Sequence, residues 1–134
     1  MPVRTRKWRH DPRFGTALRA ALALQTLAVF FQAATAGLLL STSYGEPLHS
    51  AGARGMYAAS MLYVLTAVLA WRPGGASPRP VLYATGFLVL ASVQVVLGIA
   101  HAVGWHVPLG TLMFGLSLLE LGRMVIDHRR TPAG

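Results

Sequence analysis

Four apolar stretches, at roughly 16–40, 53–71, 81–103 and 107–126, occupy most of the 134-residue chain, and each approaches the ~20 apolar residues that carry a helix across a bilayer. Backbone polar groups in lipid must be satisfied within the segment itself, so stretches of this length read as transmembrane helices. Composition points the same way. Hydrophobic residues make up 54% of the chain and charged residues 12%, against about a quarter charged in a soluble domain. A soluble core this small does not bury so much apolar surface. The chain has no cysteine, which excludes disulfides, CxxC redox chemistry, thiolate metal sites and Cys-ligated iron–sulfur clusters. Any metal must be held by His, Glu, Met or backbone.

The net charge of +8 is a topology signal. Arg4, Arg6, Lys7, Arg9, Arg13 and Arg19 precede or begin the first stretch, Arg72 and Arg79 bracket the second loop, and Arg123, Arg129 and Arg130 close the fourth stretch. Only Arg54 falls on the other side. The positive-inside rule then places both the N and C termini in the cytoplasm, with an affinity for the anionic headgroups of the lipid bilayer. No aromatic-interleaved basic patch or recognition motif accompanies the charge, so nucleic acid is not an expected partner. Ala34-Thr35-Ala36 after a basic leader imitates a signal cleavage site, but Ala20 to Leu40 is 21 residues. That exceeds a signal core of about 7–15 residues and reads as an uncleaved anchor. Tyr44 and Trp105 fall where an outer aromatic belt belongs, Trp71 and Tyr83 where an inner one does.

The expected turns are Leu40 to Ala53 outside, Arg72 to Pro80 inside, and a tight third turn at Gly104, which ends the third helix on this reading. Short connections make successive helices antiparallel neighbours, hence an up-down four-helix bundle with basic tails at 1–15 and 127–134. Small residues at Ala33 and Gly37, Gly55 and Ala59, and Gly115 and Gly122 are expected to bring helices close together. Gln25 and Gln32 share one face of the first helix and are expected to hydrogen-bond across the bundle.

A loose internal repeat runs through the chain. Phe31-Gln32, Gly37, an outer loop, His49, then Gly52 and Gly55 are echoed by Val93-Gln94, Gly98, an outer loop, His106 and Gly110. The Gln-to-His spacing is 17 residues in the first copy and 12 in the second. The pattern favours a duplicated helical hairpin about a pseudo-two-fold axis along the membrane normal, with His49 and His106 as equivalents at one depth. Iron in a porphyrin takes an axial ligand on each ring face, and helix bundles hold such cofactors between facing helices. His101 is the other candidate from the second hairpin. Arg54 is either a headgroup contact or a partner for a haem propionate. Glu46, before Pro47, is either a carboxylate at a helix start or a proton or metal ligand near the site. Glu120 with Arg123, and Asp127 with Arg130, are i,i+3 pairs expected to neutralise or snorkel at the inner interface. Glu120 lies 14 residues beyond His106, ~21 Å along a helix, too far to share its site.

The run Gly45-Glu46-Pro47-Leu48-His49 has the Glu-x-x-His arrangement of haem A synthase, and Gln94-Val95-Val96-Leu97-Gly98 followed by a histidine near the fourth helix resembles the same enzyme's half-repeat. The chain looks like one four-helix half of that enzyme over nearly its whole length. It is also similar to small actinobacterial four-helix membrane proteins with the same histidine pattern. The resemblance implies haem b held by His49 and His106, with a role for Glu46. Ser50 stands where the family usually has Arg after the ligand histidine, and the family's fourth-helix histidine sits further inside its helix than His106 on this reading. A half-length chain lacks the synthase's second haem site, so haem oxidation is not implied for a monomer; a homodimer would rebuild eight helices.

Three classes of function follow. The first is a haem protein of a bacterial plasma membrane, serving electron transfer, haem handling or a respiratory-enzyme partner. The second is an outer-face copper or zinc site built on His49 and His106, with Glu46 and His101. The third is a structural or partner-binding bundle. No nucleophile–base pair, phosphate loop or acid dyad supports an enzymatic activity.

Overall fold

The computed structural model describes residues 12–130, and the basic residues Arg4, Arg6, Lys7 and Arg9 lie outside them. The described chain is four helices: α1 Pro12–Ser41, α2 Gly45–Trp71, α3 Arg79–Ile99 and α4 Val103–Arg130. All four are long and apolar enough to cross a membrane. Each packs on its neighbours in chain order and α1 closes on α4, while the diagonals α1–α3 and α2–α4 make no backbone approach. Both turns at one end are short, and the opposite end carries Pro12, Arg130 and the α2–α3 connection. These are called here the histidine end and the termini end.

The helices are longer, and their ends fall elsewhere, than apolarity alone predicts. α2 starts at Gly45 instead of 53, taking Glu46, Pro47 and His49 into its first two turns. Proline is tolerated there because the first N–H groups of a helix have no helical partner. Gly45 is required at this corner, since a Cβ would collide with the Leu38 carbonyl of α1. Gly104 does not end α3. The helix stops at Ile99, and His101 takes the left-handed conformation at φ 55. The His101 N–H then donates to Gly98 O at 3.1 Å and the Ala102 N–H to Leu97 O at 2.9 Å, the paired bonds of a Schellman closure. Gly104 and Trp105 belong to the first turn of α4, so His106 sits inside that helix. Arg79 and Pro80 open α3, α1 begins at Pro12, and α4 absorbs Asp127 to Arg130 of the expected tail.

The close helix contacts are not where the small-residue spacing put them. A Cβ at Gly37, Gly55, Gly115 or Gly122 would meet nothing within 4 Å. The approaches occur at Gly52, where Gln32 of α1 fills the missing side chain, and at Gly110, where the Gln94 amide lies 2.7 Å from a Cβ position. The two hairpins therefore use the same device: a glutamine on the first helix seated against a glycine on the second.

Inside the bundle, Leu18, Ala21, Leu22, Tyr63, Ala67, Ala70 and Ala84 form one apolar cluster at the termini end. Val29, Met56, Phe87, Ala91 and Met113 form a second in the middle. Tyr44, Trp105 and Trp71 are exposed as expected of belt residues. Tyr83 is not: it turns inward against Tyr63 and Phe87.

Candidate histidine site

His49 of α2 and His106 of α4 meet across a diagonal of the bundle, their ring centres 6.2 Å apart and their planes at 66°. The remaining candidates from the sequence lie elsewhere. His101 is exposed, with Nδ1 3.0 Å from Ile99 O, and its backbone makes the helix closure just described. Glu46 is exposed one turn before His49 on the same side of α2. Arg54 is exposed and, five residues beyond His49, is rotated about 140° around the helix, away from the pair. Among the described residues no group of three or more His, Asp or Glu is arranged to hold a metal ion.

The hydrogen bonds around the pair determine which ring nitrogen carries the proton. The Thr35 hydroxyl donates to Gln32 O at 3.1 Å, so its single hydrogen is committed. Its oxygen, 3.2 Å from His49 Nδ1, must then accept an Nδ1–H. That leaves His49 Nε2 with a lone pair, which takes an N–H from the Gln32 amide at 3.3 Å. The same logic holds for His106. Its Nδ1 lies 3.1 Å from the backbone carbonyl of Gln94, and a carbonyl only accepts. His106 is thus also the Nδ1–H tautomer with a lone pair on Nε2. A protein group on the far nitrogen is the usual way to orient an imidazole as a ligand.

The surroundings of the two rings differ. Thr35 is 1% exposed, and its hydroxyl and the Gln32 amide clamp His49 from α1. His106 hangs from one carbonyl of α3, and a Cβ on Gly98 would lie 3.4 Å from its ring. The expected hydrogen bonds of Gln25 and Gln32 across the bundle are both present, Gln25 to Ser117 and Gln32 to His49.

A tighter repeat than the Gln–His spacing connects α2 and α4. His49, Met56, Tyr57 and Ser60 recur as His106, Met113, Phe114 and Ser117, all displaced by the same number of residues. Met56, Ser60, Met113 and Ser117 are buried, so the repeat follows the inward face of both helices. The signal was available in the sequence, but it emerges only when second helices are aligned without their loops. No protein-family model, curated protein or solved structure matches the chain.

Proposed function

We propose that the chain is a small multi-pass membrane protein of a bacterial plasma membrane, both termini cytoplasmic, that binds haem b between His49 and His106. The observation that carries this reading is the pair itself. Two imidazoles on opposite sides of one metal ion, each bound at ~2 Å, have ring centres about 6 Å apart, and these centres are 6.2 Å apart. Their tautomers leave the lone pair on Nε2 of each ring, the nitrogen a metal would take, and on His49 that lone pair accepts from the Gln32 amide. The donor set suits iron in a porphyrin, which needs two neutral nitrogens and supplies the rest of the coordination itself.

His49 and His106 would hold the iron, Thr35 and the Gln94 carbonyl would orient them, and the Gln32 amide would leave His49 Nε2 on ligation. Gly98 leaves the flank of His106 free of a side chain. Haem, when bound, supplies one-electron redox chemistry, which fits electron transfer or haem handling beside a respiratory-enzyme partner. The Glu-x-x-His run at Glu46 and the half-repeat around Gln94 support the likeness to one half of haem A synthase, and a homodimer would restore that enzyme's eight helices.

One observation favours a different reading. Both nitrogens of His49 already have partners within the protein, as in a polar clasp that only ties α1 to α2. The visible spectrum of the detergent-purified protein, oxidised and dithionite-reduced, separates the two. A Soret band with sharp reduced α and β bands, lost in His49→Ala and in His106→Ala, is expected. A colourless protein after haem is supplied would rule haem out; stoichiometric copper or zinc binding without a Soret band would assign the pair to a metal ion, and neither would leave the clasp.

A further inference from the structure

The termini end holds a second polar group, independent of the histidines. Tyr63 of α2 is 0% exposed and Tyr83 of α3 turns toward it, ring centres 6.1 Å apart. Among the described residues neither hydroxyl has a hydrogen-bond partner, and neither has the side-chain oxygen of Gln25, itself 0% exposed. Glu120 of α4 pairs with Arg123, as its i,i+3 spacing predicted, but stays largely inside the bundle. Its side chain is 18% exposed, while Arg123, 3.8 Å away, is 75% exposed.

These groups do not complete one another directly. Gln25 donates to Ser117 Oγ at 3.4 Å. Thr26 gives its hydrogen to Leu22 O at 2.9 Å, so Ser117 donates to Thr26 at 2.7 Å. That leaves two phenolic donors and the Gln25 oxygen unmatched in an apolar interior, where an unpaired polar group loses its hydration without compensation. Water is both donor and acceptor, and a buried water needs two to four polar partners of this kind. The groups also descend in steps. Tyr83 is four residues into α3, Tyr63 eight residues before the end of α2, and Ser117 one turn beyond Glu120. Beyond them Val29, Met56, Phe87, Ala91 and Met113 form an apolar layer.

We infer that the termini end of the bundle is a water-binding vestibule, entered beside Glu120 and Arg123, lined by Tyr63 and Tyr83, reaching the Gln25–Thr26–Ser117 group and closed by the Met56–Phe87–Met113 layer. It gives water access from one face of the membrane to the bundle centre, without a path to the histidine pair.

The chain's lack of cysteine allows a clean test by single substitutions in lipid nanodiscs, using a small cationic methanethiosulfonate reagent. Arg123→Cys and Glu120→Cys should be modified rapidly, Ser117→Cys to completion at a lower rate, and Met113→Cys only after denaturation. Glu120→Cys and Ser117→Cys reacting no faster than Met113→Cys would overturn the vestibule. Tyr63→Phe tests it without a thiol. Loss of a hydrated hydroxyl should lower the thermal unfolding midpoint, whereas an unchanged or raised midpoint means the hydroxyl is dry and the inference fails.

Discussion

The α1–α2 and α3–α4 hairpins carry the same inward pattern and hold it with unequal force. In the first, α1 and α2 pack along most of their length, Gly45 and Gly52 admit the neighbouring helix, and the histidine is held at both nitrogens. In the second, contact is sparser and an open apolar groove between the helices is lined by Val93, Leu97, Trp105, Pro108, Leu109 and Leu112. Pro108 contributes by removing a helical N–H in the second turn of α4. His106 is held only at Nδ1, by a backbone carbonyl that substitution at position 94 leaves in place. The same inward pattern is therefore secured differently in the two hairpins: His49 is bonded at both ring nitrogens from α1, and His106 at one from α3.

The largest expected effect treats the two hairpins alike. His49→Ala and His106→Ala should each abolish the Soret band, and retention of low-spin bis-imidazole features in either would break the equivalence. Stability should then separate them. His49→Ala strands the Gln32 amide and Thr35 hydroxyl, a loss of about 1–3 kcal/mol, while His106→Ala frees a single carbonyl beside an exposed glycine and should cost less; chemical unfolding in mixed micelles reads the difference. Gly45→Ala drives a Cβ into the Leu38 backbone and should lower stability by about 1–3 kcal/mol, whereas Gly37→Ala meets open space and should leave it unchanged or slightly raised. The smallest contrast is between glutamines. Gln32→Leu removes a donor to His49 and should destabilise the haem-free protein by about 1 kcal/mol without loss of haem, and Gln94→Leu should leave the His106 bond intact, as imidazole 15N shifts would report.

Much of the architecture was legible in the chain. Segment length and apolarity predicted four helices, and the short loops predicted sequential packing. Helix ends were misplaced wherever capping outweighed composition. Pro47 looks like a turn residue and sits in a first helical turn, and Gly104 looks like a terminator although His101 performs that role through its backbone. The pairing of His49 with His106 followed from topology, since two residues that follow equivalent turns share one end of an antiparallel bundle. The partners that orient them did not. Thr35 carries no sequence signal, and the Gln94 contact to His106 is made by a main-chain oxygen that any residue there would supply.

The inward turn of Glu120 and Tyr83 was equally hidden. A helix with an apolar outer face and an apolar inner face has little amphipathic phase, so periodicity cannot say which stripe faces the bundle. The sequence by itself determined four apolar helices, a cysteine-free chemistry and two histidines at one end, because length, composition and loop order are local properties. Tertiary structure alone decided which glycines admit a neighbour, which nitrogen of each histidine carries the proton, and which polar groups meet in the interior. Those depend on the rotation and offset of one helix against another, set by side chains from different segments fitting together.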